Sequence, residues 1–185
     1  MASAFTLTSE LRKGKIMSLC EPLAAELQHE AATTRRMLER VPEDKFGWKP
    51  HEKSMALGRL AGHIAELPTL VAPALKQDEL DFAAGSFQPF SPASVAELLE
   101  KFDRNVAAAV ELLKNQTDER MREKWRLRSG EQVFFELPRV AVVRTMTLNH
   151  IVHHRGQLSV YLRLLDVPLP SVYGPTADEA PGPQP

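Results

Sequence analysis

Two of the six histidines in this chain, His150 and His154, stand four residues apart in the run Asn149-His150-Ile151-Val152-His153-His154-Arg155-Gly156-Gln157-Leu158. On a helix, side chains at i and i+4 lie one above the other on the same face, so both imidazoles can reach one metal ion. They do not fall on a polar face. Val143, Thr147, His150, His154, Leu158, Tyr161 and Leu165 form a stripe at three-and-four spacing, the pattern of a core-facing seam. Imidazoles in an apolar seam need partners, and one metal ion satisfies two of them at once. His63 occupies an inward position of another such seam, Ala56, Leu60, His63, Leu67, Leu70 and Ala74. That makes it the natural third ligand from a facing helix. Neutral imidazole nitrogens suit zinc, nickel or iron, and three protein ligands leave a position open for water or substrate. The competing reading is three ordinary histidines satisfied by hydrogen bonds, and spacing alone leaves it open. His153 points further round the helix and is read as a solvent-side or pocket-rim residue. His29, in the first helix, and His51, in a loop, are read as solvated. His51 has an alternative as a pocket lid, from the Trp48 and Pro50 beside it.

Four helical stretches are expected to position these groups. The first covers residues 21–38, with Leu23, Leu27, Thr34 and Met37 or Leu38 on one face, and stops before Val41-Pro42. Ser54 is the expected N-cap of the second. Pro68 falls inside its pattern and predicts a kink just after His63. A longer connection over residues 77–90 has no sustained period. Ser91-Pro92-Ala93-Ser94 opens the third helix, where Ser94 and Glu97 form a capping box. Its stripe of Val95, Leu98, Leu99, Phe102, Val106, Ala109, Val110 and Leu113 is the cleanest in the chain. Trp125, Leu127, Val133 and Phe135 alternate around Ser129-Gly130 and fit a short hairpin. The fourth helix is expected over residues 138–165. Together these give an all-α four-helix bundle, with a long connection between helices 2 and 3 and an irregular or hairpin segment before helix 4. Residues 1–19 form an N-terminal extension, 20–174 the bundle domain, and the Pro-, Ala- and Gly-rich residues 175–185 a disordered tail.

With 185 residues and 43% hydrophobic content, the chain suits one domain with a substantial core. A formal charge of -1 gives no support to a nucleic-acid or anionic-membrane partner. No apolar run reaches the roughly 20 residues of a membrane span, and residues 1–5 lack the pattern of a signal peptide. The single cysteine, Cys20, excludes an intramolecular disulfide and reads as a small core or near-surface residue rather than a nucleophile. A cytoplasmic location is expected.

The run His150-x-x-x-His154-Arg155-Gly156-Gln157-Leu158, with Leu60-x-x-His63-Ile64-x-Glu66-Leu67 upstream, resembles the DinB-like/YfiT superfamily. So do Val41-Pro42-Glu43-Asp44, Trp48-Lys49-Pro50-His51 and Tyr173-Gly174-Pro175-x-Ala177-Asp178-Glu179. The resemblance covers residues 20–179. It implies a DinB-type four-helix bundle, often a homodimer, with a divalent metal on a three-histidine set that maps onto His63, His150 and His154. Some relatives are metal-dependent hydrolases, and others transfer low-molecular-weight thiols such as bacillithiol, mycothiol or glutathione. The expected function is therefore a metal-dependent enzyme acting on a small molecule. No dedicated general base is evident beside the ligands, which favours a thiol S-transferase over a hydrolase, because a metal-bound thiolate is itself the attacking group. A non-catalytic metal-binding stress-response module is the alternative. Arg155, Tyr173 and His51 are the candidates for catalytic roles. Arg155 could anchor a carboxylate or pair with Glu66, and Tyr173 could fold over the pocket. On the helix, at most one of Arg155 and Gln157 can face that pocket.

Overall fold

A computed structural model describes residues 18–85 and 88–180 of the chain. Helix α1 spans Cys20–Leu38. Its first turn is served by Asp118, whose carboxylate accepts the Leu19 N–H at 2.7 Å, and by Ser18, whose hydroxyl accepts the Cys20 N–H at 3.1 Å. These contacts satisfy donors that the helix itself leaves free. The remainder of the expected N-terminal extension lies outside the described residues.

The next helix, α2, runs Leu57–Glu66, and Ser54 does not cap it. The Leu57 and Gly58 N–H groups donate instead to the carbonyls of Trp48 and Phe46, both at 2.9 Å. The aromatic loop thus supplies from its backbone what a serine side chain was expected to supply. Pro68 breaks the helical path as expected: a 3-10 turn covers Leu67–Leu70, and α3 resumes over Val71–Lys76. Gly62 lets the following segment approach, since a Cβ there would lie 2.5 Å from the Phe90 carbonyl oxygen. That contact sits one residue before His63.

Helix α4, Val95–Lys114, begins as expected with the Ser94 hydroxyl accepting from the Glu97 N–H at 3.1 Å. The Glu97 carboxylate reaches back to the Ala93 N–H rather than to that of Ser94, a one-residue variant of the capping box. A short α5, Asp118–Arg122, leads into the hairpin of β2, Lys124–Ser129, and β3, Gln132–Pro138. Gly130 sits in the turn at φ +57°, where a side chain would be strained.

The architecture departs from an all-α fold. The connection after α3 contains β1, Glu79–Asp81, which pairs in parallel with β2 and completes a three-stranded sheet in the order β1-β2-β3. Buried Trp125 on β2 donates its indole N–H to the Pro73 carbonyl at 3.1 Å, tying the sheet to α3. Arg139, fully buried, donates to the Ala74 carbonyl at 2.8 Å and pairs with Asp78 at 2.7 Å, so a cation closes the C-terminal end of α3.

The expected fourth helix is three pieces. They are α6, Arg139–Val143, then a π turn, Arg144–Leu148, then α7, Asn149–Leu164. Helix α1 packs against α4 and α7, and α2 packs against the same two. Leu27, Leu113, Val142 and Ile151 lie in one apolar cluster, and Leu57, Leu60, Phe102 and Leu158 in a second. α7 ends with Asp166 at φ +57°. The Val167 N–H returns to the Leu162 carbonyl and that of Asp166 to the Arg163 carbonyl, the paired bonds of a Schellman stop.

The stretch expected to be disordered from residue 175 is held through Ala180, and only residues 181–185 lie outside the described residues. The Asp178 carboxylate accepts the Leu169 N–H and pairs with Arg163, and that of Glu179 accepts the Ser171 N–H and pairs with Arg36. Two acids thereby strap a Pro-rich segment to α1 and α7.

Candidate metal centre

His63 on α2 meets His150 and His154 on α7. Its ring centroid lies 5.1 Å from that of His150 and 4.6 Å from that of His154, and the latter two are 4.7 Å apart. One ligand atom from each of the three falls within 4.8 Å of the others. Small ring rotations close that span to the roughly 3.3 Å between nitrogens around a tetrahedral ion. Among the described residues, no fourth histidine, cysteine or acid joins the cluster.

All three rings are neutral near pH 7. Desolvation by burial, then the neighbouring His154 and His150, then Arg59, pull the His63 pKa down to about 4. Burial also lowers His150, although hydrogen bonding to the Met146 backbone in the π turn works against it. Burial lowers His154 in turn, opposed by its hydrogen bond to Gln157. Neutral imidazole is the form that ligates a metal.

The surroundings fit an ion. The Nδ1 atom of His63 is buried without a hydrogen-bond partner. The nearest carboxylate, Glu66 Oε2, is 3.9 Å from it, while Glu66 itself accepts from Arg59 at 3.0 Å and from the Phe90 N–H at 2.5 Å. His154 Nδ1 lies 2.7 Å from Gln157 Oε1. With its proton on Nδ1 this ring donates to the amide oxygen and turns the free pair of Nε2 outward, as outer partners of ligating histidines do.

His63 and His150 open onto a cleft of about 950 Å³. Leu67, Leu70, Pro73, Leu80, Phe82, Thr145, Met146 and Asn149 are among the residues that line it. His153 stands exposed at the rim, as expected. A smaller groove of about 450 Å³ between α1 and α4 contains no histidine, and Arg35 spans it to Asp103 at 3.0 Å.

The three catalytic candidates lie elsewhere. Arg155 is buried against α1, pairing with Glu30 at 2.7 Å and donating to Thr34 Oγ1 at 3.2 Å, so Glu30 and not Glu66 is its acid. Tyr173 lays its ring over the Arg155 guanidinium at 5.1 Å and donates its phenol to Glu30 at 2.7 Å. Neither lines the cleft, and neither does His51, an exposed loop residue whose ring accepts the Lys53 N–H. The physical reason is helical phase: one residue beyond His154 the side chain faces α1 rather than α2. Gln157, three residues beyond, is the one of the pair that serves the site. Sequence reasoning also passed over Glu66 as a neighbour of His63, although its i+3 spacing was there to be read. The cleft walls from Leu80 and Phe82 carried no periodic signal.

Cys20 is buried, and burial first of all raises its thiol pKa, which fits its reading as a core residue. No helix among the described residues is long and apolar enough to cross a membrane.

The uncharacterized protein YrdA of Bacillus subtilis (strain 168) is 25% identical over 153 residues, covering 82% of this chain and 86% of YrdA. A crystal structure of a DinB-like protein from Bacillus cereus ATCC 10987 superposes with a TM-score of 0.65 at 24% identity, over 83% of this chain and 97% of that one. The DinB-like protein YjoA of Bacillus subtilis gives 0.63 at 20% identity, over 81% and 96%. These likenesses establish a shared fold. The model of the DinB family matches residues 15–184, nearly the full length, and the chain therefore belongs to the DinB family.

Proposed function

We propose that this protein is a metal-dependent enzyme in which a divalent ion on His63, His150 and His154 serves a small-molecule substrate held in the adjoining cleft. One observation carries the reading: three neutral histidines converge with no fourth protein ligand among the described residues, and two of them open onto a cleft. A structural site is closed, whereas a catalytic one keeps a position for water or substrate. Held by His63, His150 and His154, zinc, nickel or iron would lower the pKa of a bound thiol or water and so would supply a nucleophile near neutral pH. The reaction is S-transfer from a low-molecular-weight thiol to an electrophile. The cleft-lining acids support this assignment: Glu66 and Asp81 are both engaged in ion pairs, so no unpaired carboxylate stands ready as a dedicated base among the described lining residues.

Hydrolysis is the second reading, and a specific feature favours it. Among the described residues no lysine or arginine lines the cleft, so the carboxylates of a charged thiol find no counter-ion there. Untagged protein purified without chelator should contain about one metal per chain. It should consume an uncharged electrophile such as a chloronitrobenzene only when metal and thiol are both present. Thiol-independent ester or amide cleavage would move the assignment to the hydrolase. Bound metal with neither activity would leave a metal-binding stress-response module.

The reading includes a homodimer in the cytoplasm. Val160 and Leu164, four residues apart on α7 and both more than half exposed, offer an apolar contact for self-association. The lone unpaired cysteine suits a reducing compartment. Sedimentation at micromolar concentration tests the dimer, and a strictly monomeric species would remove it.

A further inference from the structure

The cleft shows a consistent charge pattern beyond the three histidines. Its walls are Leu67, Leu70, Pro73, Leu80, Phe82 and Met146. Its two acids are already committed. Glu66 pairs with Arg59 at 3.0 Å, and Asp81 pairs with Arg128 at 2.6 Å while accepting the Gly130 and Ala83 N–H groups at 3.0 and 2.9 Å. No lysine or arginine is among the described lining residues. Asn149, exposed at the start of α7 beside His150, brings an uncharged amide to the histidine end.

We propose that the cleft binds the electrophilic substrate and selects an uncharged, predominantly apolar body, with its one polar group directed to the histidine end. The inference rests on the reading of this cleft as the substrate site. An anion lodged along the wall loses its hydration and meets no cation in return. A cation meets carboxylates whose charge Arg59 and Arg128 already balance. An apolar body instead buries itself against side chains that water hydrates poorly, and about 950 Å³ accommodates a molecule of two or three rings. Phe82 is 52% exposed, and its ring lies 6.4 Å from that of Phe134, so the apolar wall continues past the cleft mouth onto the sheet. A charged thiol therefore leaves its carboxylates in solvent and presents only its sulfur to the metal centre.

Two fluorescent probes of one aromatic skeleton test this, uncharged N-phenylnaphthylamine and its sulfonated analogue anilinonaphthalene sulfonate, titrated into the full metal-free chain. The uncharged probe should bind at least about tenfold more tightly than the sulfonate. Phe82→Lys, at an exposed position that the fold does not depend on, should weaken the uncharged probe and strengthen the sulfonate. Equal or tighter binding of the sulfonate by the unaltered chain would overturn the proposal, as would binding indifferent to Phe82→Lys. Loss of probe binding as protein concentration rises would also overturn it, by assigning the cleft to a second copy. Metal content is measured separately on the same preparation. A chain that takes up no metal yet prefers the uncharged probe fails the metal reading alone, and one that binds metal yet prefers the sulfonate fails this inference alone.

Discussion

His154 and Arg155 are adjacent in the chain and both buried, yet they enter opposite kinds of environment. Arg155 turns toward α1 and meets a charge of opposite sign on Glu30, with Tyr173 closing over the pair. His154 turns toward α2 and meets two more neutral rings, one of which keeps a buried nitrogen without a hydrogen-bond partner. Buried polarity answered by the protein's own opposite charge holds elements together. Glu30 Oε2 and Arg155 Nη2 are also buried without a hydrogen-bond partner, but the two side chains balance each other's charge. The His63 nitrogen has no opposite charge within hydrogen-bond reach and sits beside a cleft, which fits something the chain does not itself contain.

That contrast can be broken from either side. Replacing both His150 and His154 by Ala should give the largest effect, with bound metal falling from about one per chain to a trace and the helical circular dichroism unchanged. Full retention of metal would end the assignment of the site. On the other side, Arg155→Ala should leave Glu30 buried without its cation, lowering unfolding stability by about 3–5 kcal/mol in a denaturant titration. An unchanged midpoint would show that the pair holds nothing together.

Finer tests sharpen the comparison. Gln157→Ala removes the oxygen that orients His154, so metal affinity should weaken by about 10–100-fold while stability barely moves. A competition titration with a chelator reads the first quantity and thermal unfolding the second; equal affinity would strip Gln157 of its orienting role. The smallest effect concerns acid. The His63 pKa is about 4 in the folded chain against an ordinary 6.5. Below pH 6.5 the unfolded chain takes up a proton that the folded chain refuses. The His63 contribution to the stability of the metal-free protein should therefore fall as pH drops from 6.5 to about 4 and level off beyond, with His150 and His154 adding in the same direction. His63→Gln should flatten that slope, and an equally steep slope in the variant would assign it to other groups.

Much of this was legible in the sequence wherever the signal was local. The α1 stripe, the break at Pro68, the Ser94 cap and the hairpin around Gly130 each depend on residues a few positions apart, and each is present. The histidines could be brought together because two were on one helix and the third on a facing seam. What stayed hidden depends on distant partners. β1 is three residues long and exists through parallel pairing with β2, more than forty positions away. The α2 cap comes from backbone carbonyls of Phe46 and Trp48, and any sequence supplies those. Arg155 chose Glu30 over Glu66 because of helical phase, which a list of available acids does not contain. The order of residues 175–180 hangs on Asp178 and Glu179 finding Arg163 and Arg36.

The π turn at Arg144–Leu148 has a consequence for how such a chain changes by inheritance. Its i→i+5 bonding accommodates one residue more than an α-helix would, immediately ahead of the two histidines. Were that extra residue wound into regular α-helix instead, everything on one side of it would turn by about 100° relative to the other. Either His150 and His154 would swing away from His63, or Val142 and Val143 would leave the core. Deleting one residue within the turn, by contrast, removes the bulge and leaves both flanks in phase, so this is the place in the helix where the loss of one codon keeps the three imidazoles together.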